Sequence, residues 1–327
     1  MFSRGGSPPP SIYADARCID DVIAFEGKPT TVDFDKTYGP DTEQAAIFED
    51  TKEVIMSVLD GYNVCLMAYG QTGAGKSFTM MGPPDNPGVN RRAIKELLTL
   101  VSGNKDTVEV SITCSLMEVY NENVYDLLAP EGRVKRDVKV GAQGAFVHEI
   151  TERLITNQDE TELLMADGDK NRSIAATSMN AESSRSHLIF QIRVDTVNKV
   201  SSMRSSAKLT LVDLAGSERI AKSEVTGDQL VEAAAINKSL SALGQCFQAI
   251  AKQAPHVPFR NSKLTHVLQD SLGGDSKTCM FINVRPDDDN LSETWSTLNF
   301  GQNIRKIELG PAKAHKSGKK PPPPKKK

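Results

Sequence analysis

Gly70-Gln71-Thr72-Gly73-Ala74-Gly75-Lys76-Ser77 directly follows the apolar run Val64 to Tyr69. A strand that runs into a glycine-rich turn and then a helix is the context in which the P-loop pattern has a mechanism. The glycines let successive backbone amides turn inward toward phosphate oxygens, and the following helix presents its positive end to the same charge. Lys76 is placed to bridge the β- and γ-phosphates, and the Ser77 hydroxyl to hold Mg²⁺. The flanking strand and helix disfavour a chance match, so Gly70 through Ser77 form a candidate nucleotide cradle. The guanine reader Asn-Lys-x-Asp does not occur; Asn237-Lys238, for example, continues as Ser239-Leu240. ATP is favoured by that absence.

Working outward, a second apolar run, Leu209 to Leu214, delivers Asp213 at its polar end and continues as Ala215-Gly216-Ser217-Glu218. An acidic residue leaving a buried strand beside a P-loop is what a Walker-B carboxylate requires, reaching Mg²⁺ directly or through water. Gly216, with no side chain, lets its amide approach a γ-phosphate closely. Judged alone, the motif also reads as an ordinary strand-to-loop turn. The third element is Asn180-Ala181-Glu182-Ser183-Ser184-Arg185-Ser186-His187, a hydroxyl cluster with one guanidinium before another strand. By itself a serine-rich loop is more often a solvated connection or phosphorylation site than a catalytic element. Its weight comes from the company it keeps.

The chain has 327 residues, 39% of them hydrophobic and 25% charged, the balance of a packed globular protein. Its five cysteines are scattered singly, with no metal or disulfide spacing, which fits a reducing compartment. No apolar run is long enough to cross a bilayer and no signal-peptide pattern opens the chain, so a soluble cytosolic protein is expected. A net charge of −3 leaves any acidic partner to a local basic face. Further apolar runs, Val108 to Tyr120, His187 to Val197 and Cys279 to Val284, read as strands. Helical periodicity covers Thr42 to Leu59, Arg91 to Val101, Glu160 to Asp169, Gln229 to Lys252, Lys263 to Leu272 and Ser292 to Glu308. The expected fold is α/β, a P-loop NTPase with a central, mostly parallel mixed sheet and helices on both faces. Residues 1–14, with Pro8 to Pro10, read as an irregular lead-in; 15–310 as one domain; and 311–327, ending in lysines around Pro321 to Pro324, as a disordered basic tail.

The P-loop, Asn-x-x-Ser-Ser-Arg-Ser-His and Asp-Leu-Ala-Gly-Ser-Glu occur in that order, and together they resemble the nucleotide-sensing motifs of kinesin motor domains. Phe34 to Gly39, Glu118 to Leu128, Ile236 to Leu243, His256 to Leu272 and Leu298 to Ile304 resemble kinesin segments as well, so the resemblance spans Asp15 to Leu309. It implies an ATPase, stimulated by microtubules, that moves along them. It further implies that Ser184 completes the Mg²⁺ shell with Ser77 and Asp213. Ser183 and Asn180 would position the attacking water or γ-phosphate, and Arg185 would pair with Glu218. Phe78 resembles the residue packed on the adenine ring, although a core aromatic is an equal reading. The helix carrying Asn237-Lys238-Ser239-Leu240-Ser241-Ala242-Leu243 and the stretch His256 to Thr265 resemble the tubulin-binding face. Lys222, Lys238, Arg260 and Lys263 are its expected cations. His266 stands where the family often has arginine, which suggests a weaker or pH-dependent contact there.

The family usually opens with a strand bearing Arg-x-Arg-Pro beside the adenine, and Met1 to Ser11 does not reproduce it. Ile307 to Ala312 resembles the minus-end-directed class with carboxy-terminal motors. No heptad run occurs, so this chain is expected to be a monomeric head, with coiled-coil dimerisation left to the full-length protein. The expected location is the cytoplasm, on microtubules, the spindle among them, with neither nucleic acid nor membrane as partner. Two other readings compete: a non-motile microtubule-binding head, and a P-loop ATPase or GTPase with another partner.

Overall fold

The computed structural model describes residues 11–12, 22–25, 28–103, 107–141, 144–175, 184–218, 227–273, 275–285, 287, 290–307 and 311–317. In chain order the elements are β1 (Ser11–Ile12), β2 (Val22–Phe25), β3 (Lys28–Thr31), α1 (Gln44–Met56), β4 (Asn63–Tyr69), α2 (Lys76–Met80), α3 (Val89–Gly103), β5 (Val108–Tyr120), β6 (Asn123–Ala129), β7 (Gly132–Arg136), β8 (Val138–Gly141) and β9 (Gly144–Val147). They continue with β10 (Arg153–Ile155), α4 (Gln158–Ala175), β11 (His187–Asn198), β12 (Arg204–Asp213), α5 (Asp228–Ala251), α6 (Lys263–Val267), α7 (Gln269–Leu272), β13 (Ser276–Asn283), α8 (Leu291–Arg305) and β14 (Lys316–Ser317).

The main sheet runs β1-β13-β4-β12-β11-β5-β6-β7, with β10 on β5 and β14 on β12. Strand alternation sorts the core onto its two faces. Val64, Leu66 and Ala68 of β4 join one cluster with Ile47 and Phe48 of α1 and Ile94 and Leu97 of α3. Cys65, Met67 and Tyr69 join the other with Leu243 and Phe247 of α5 and Leu298 of α8. Helices therefore cover both faces, as expected.

The sheet is mixed but not mostly parallel, which corrects the expectation. Among the described residues only β4–β12 and β4–β13 pair in parallel, while every other pairing in the main sheet is antiparallel. Chain connectivity explains this, because antiparallel neighbours can be joined by tight turns and parallel ones need a crossover. Asn121 and Glu122 link β5 to β6 with φ of 47° and 56°, the left-handed geometry of a two-residue hairpin. The three strands that do run in parallel bring their carboxyl ends together, and that is where the P-loop leaves β4 and Asp213 ends β12.

Two boundaries also differ from expectation. Residues 311–317 are ordered: β14 pairs with Arg204 and Ser205, and the His315 amide donates to Gly61 O at 2.7 Å. This stretch precedes the proline run and keeps its amides after Pro311, so it can add to a sheet. The helix expected over Lys263 to Leu272 is split at Leu268 into α6 and α7.

Candidate active site

The P-loop leaves β4 at Gly70, whose φ of 153° brings it against β13: a Cβ there would lie 2.0 Å from Asn283 O. Only glycine fits so close a backbone approach. Gly73 and Gly75 hold φ of 80° and 92°, the left-handed region that turns the loop back into α2. Lys76 is buried, and its Nζ donates to Gln71 O across the loop at 2.9 Å. Burial depresses the Lys76 pKa, against the pull of Asp213 and Glu218. Gln71 is tied outward, its Nε2 donating to Asn290 Oδ1 at 3.0 Å. Thr72 and Ala74 complete the turn, with the Ala74 amide donating to Gln71 O. Phe78 is half-buried beside the loop and is in neither core cluster of the described residues.

Asp213 is 5% exposed, and its Oδ2 accepts from Ser77 Oγ at 2.5 Å, while its Oδ1 has no hydrogen-bond partner among the described residues. Burial raises its pKa, opposed by the Ser77 hydroxyl and by the charges of Lys76 and Arg172. A buried carboxylate oxygen without a partner is costly unless a cation or donor meets it. The set Ser77 hydroxyl, Asp213 carboxylate and Lys76 ammonium therefore fits a magnesium-bound polyphosphate.

Beyond Asp213 the chain crosses toward the serine cluster. The Gly216 amide donates to Ser184 O at 3.0 Å, and the Ser217 amide to Gly70 O at 3.1 Å. Glu218 grips the P-loop, accepting from the Thr72 amide at 2.8 Å and from Thr72 Oγ1 at 2.6 Å. The expected Arg185–Glu218 pair is not formed. Arg185 Nη1 instead donates to Glu232 Oε2 of α5 at 2.7 Å, and Tyr120 Oη donates to the other oxygen of that carboxylate at 2.5 Å. The reason is reach: Glu218 is already held by two donors of Thr72, and α5 sets Glu232 beside Arg185. Glu232 belongs to no motif and so carried no sequence signal, although α5 holds only one other acidic residue, Asp228. Asn180, Ser183 and Lys222 lie outside the described residues.

His187, at the start of β11, completes this corner. Its Nδ1 accepts from the Ala215 amide at 2.9 Å, and its Nε2 lies 2.7 Å from Ser239 Oγ on α5. Burial first, then the positive charges of Lys76 and Arg172, lowers its pKa to about 3, so the ring is neutral.

Of the expected track-facing cations, the three in the described residues, Lys238, Arg260 and Lys263, lie on and beside α5. Lys238 is exposed and shared with Glu122 at 2.8 Å. Lys238 and Gln245, two turns apart, lie on one side of α5. Gln245 accepts from Asn261 Nδ2 at 3.0 Å, next to exposed Arg260 and half-buried Lys263. The Ser262 hydroxyl caps α6 by accepting from the Thr265 amide at 3.1 Å. Burial, then Arg260 and Lys263, lowers the pKa of His266, so it adds no cation near neutral pH. Among the described residues no His/Cys/Asp/Glu cluster suggests another metal site, and no helix is long and apolar enough to cross a membrane.

The kinesin motor domain profile matches residues 17–307. The kinesin-like protein KIN-14R of Arabidopsis thaliana is 45% identical over 294 residues, which cover 89% of this chain and 27% of that protein. The kinesin-like protein KIN-14E of Oryza sativa subsp. japonica is 47% identical over 285 residues, 86% of this chain and 26% of its own length. The chain thus spans about a quarter of the length of these curated relatives. Among solved structures, the motor domain of a Kar3-like kinesin from Ashbya gossypii superimposes with a TM-score of 0.75 at 34% identity, covering 87% of this chain and 88% of that one.

Proposed function

The chain belongs to the kinesin motor-domain family, and from that premise we propose that it hydrolyses ATP with Mg²⁺ and couples the cycle to gripping and moving along a microtubule. Residues 15–310 are the proposed motor unit. The observation that supports this best is the meeting of two loops at the cradle: Gly216 reaches Ser184 while Glu218 holds Thr72. Loops joined to each other and to the P-loop can sense whether a terminal phosphate lies between them. In this reading the amides of Gly70 through Ser77 and the Lys76 ammonium hold the phosphates, and Phe78 packs on the base. Ser77, Ser184 and Asp213 hold Mg²⁺, which supplies charge shielding on the phosphate oxygens. Asn180 and Ser183 position the water. Phosphoryl transfer needs positioning and charge stabilisation more than a strong base, which suits a site of hydroxyls and amides.

α5 begins ten positions beyond Glu218 and carries Glu232, Ser239 and Lys238, so one rigid rod links the sensors to the proposed tubulin face. Lys222, Lys238, Arg260 and Lys263 are the proposed contacts. Minus-end direction is proposed as well, supported by the resemblance of Ile307 to Ala312 to the carboxy-terminal-motor class. A cytoplasmic, microtubule-bound location, the spindle included, is the corresponding proposal.

Steady-state ATPase of the chain with and without microtubules tests the reading. The expected result is stimulation on the order of tenfold or more. Turnover indifferent to microtubules would instead assign a P-loop ATPase with another partner, and microtubule binding without turnover a non-motile head.

A further inference from the structure

A single buried imidazole touches three segments that must move together. His187 follows Ser184-Arg185-Ser186 directly and is 2% exposed. A neutral imidazole offers one donor and one acceptor. The Ala215 amide donates to Nδ1, so the ring hydrogen must sit on Nε2 and point at Ser239 Oγ. Ser239, also 2% exposed, then sends its own hydrogen to Ile236 O at 2.7 Å. Every donor in this chain has one acceptor, and its direction is fixed from the sensor loop to the helix.

Ala215 precedes Gly216, whose amide is bound to Ser184 O. A shift of Gly216 therefore moves the amide held by His187, and the ring transfers that shift to α5 through Ser239. We propose that His187 is the positioning residue coupling the two sensor loops to α5, with Ser239 as its contact on the helix. This rests on the motor reading above and names the bond that carries it. A buried histidine that merely fills space would need neither a fixed tautomer nor a hydroxyl on a different element.

The test is a double-mutant cycle on the whole chain. Ser239→Ala removes the acceptor for Nε2, and His187→Asn keeps an acceptor for the Ala215 amide but is too short to reach Ser239. ATPase is measured without microtubules and across a microtubule titration, alongside ADP affinity and melting temperature. Stimulation must first be seen in the parent, because its absence there would count against the motor reading and not against this coupling. Expected for Ser239→Ala is basal turnover and ADP affinity within about twofold, with kcat at saturating microtubules lower by about fivefold and half-saturation within about twofold. The double variant should be no worse than His187→Asn alone, because one shared bond is lost once. The proposal is overturned if stimulated kcat in Ser239→Ala stays within about twofold of the parent, or if the two effects multiply. A parallel fall of basal and stimulated rates with melting temperature overturns it as well, since that is a folding effect.

Discussion

Gly216 has no room for a side chain, since a Cβ there would lie 2.3 Å from both Glu218 Oε2 and Thr72 Oγ1. Gly216→Ala must therefore push Glu218 off Thr72 or lift the sensor loop from the P-loop. ATP affinity should stay within about threefold, while microtubule-stimulated turnover falls on the order of tenfold or more, read by nucleotide titration and steady-state kinetics. Glu218→Ala should act in the same direction, and unchanged turnover in both variants would remove these loops from the mechanism. His187 gives a pH prediction. Its folded pKa of about 3 lies below the ordinary 6.5, so the unfolded chain binds a proton that the native state refuses. That contribution is complete above the unfolded value and is lost as pH falls toward the folded one, at about 1.4 kcal/mol per pH unit at most. Denaturant titrations between pH 7 and pH 5 should show stability dropping with acid, and less steeply in His187→Asn. At this scale the sequence picked out the groups that meet at the candidate cradle, because the glycines, Lys76, Ser77 and Asp213 sit at or just beyond the ends of apolar strands. It did not show who pairs with whom: Arg185 reaches a carboxylate 47 residues downstream, a choice that tertiary placement alone makes.

Glu118 shows how elements are held around the sensor loops. Its side chain is fully buried on β5, accepting from Arg133 of β7 at 2.8 Å and from Arg172 of α4 at 3.1 Å. Arg172 also donates to Ser186 Oγ at 2.9 Å, so one guanidinium ties α4 to the far end of the serine cluster. Removing one partner of a buried charge is costly because the other is left undersatisfied. Arg172→Ala should cost about 3 kcal/mol in chemical denaturation, and adding Glu118→Gln should recover part of that loss. Long periodic helices and apolar strands were legible, α5 to within a residue at each end, because burial imposes their pattern. Strands such as β7 (GRVKR) and β8 (VKVG) were not, since they are short and largely uncovered and their ladder comes from neighbours. The same holds for β14, which lies in a stretch whose composition reads as tail and which pairs only because β12 offers an edge.

For the whole molecule, charge and topology act together. Parallel β13, β4 and β12 bring the cradle and the Gly216 loop to one end of the sheet, and antiparallel β11 starts at that end, directly after the Ser184 loop. With a net charge of −3, attraction to an acidic polymer needs a local basic face, and the proposed one is formed by the cations beside α5. Co-sedimentation with microtubules should weaken steeply with added salt, and Arg260→Ala with Lys263→Ala should flatten that dependence. Unaltered salt dependence would move the binding face elsewhere. In the proposed motor, nucleotide state at the cradle is read out at that face through α5. The most direct test of this readout is the affinity for microtubules of the chain loaded in turn with ADP and with a non-hydrolysable ATP analogue. Affinity should be higher with the analogue by on the order of tenfold, a coupling of roughly 1.4 kcal/mol. Equal affinity in the two states would contradict it.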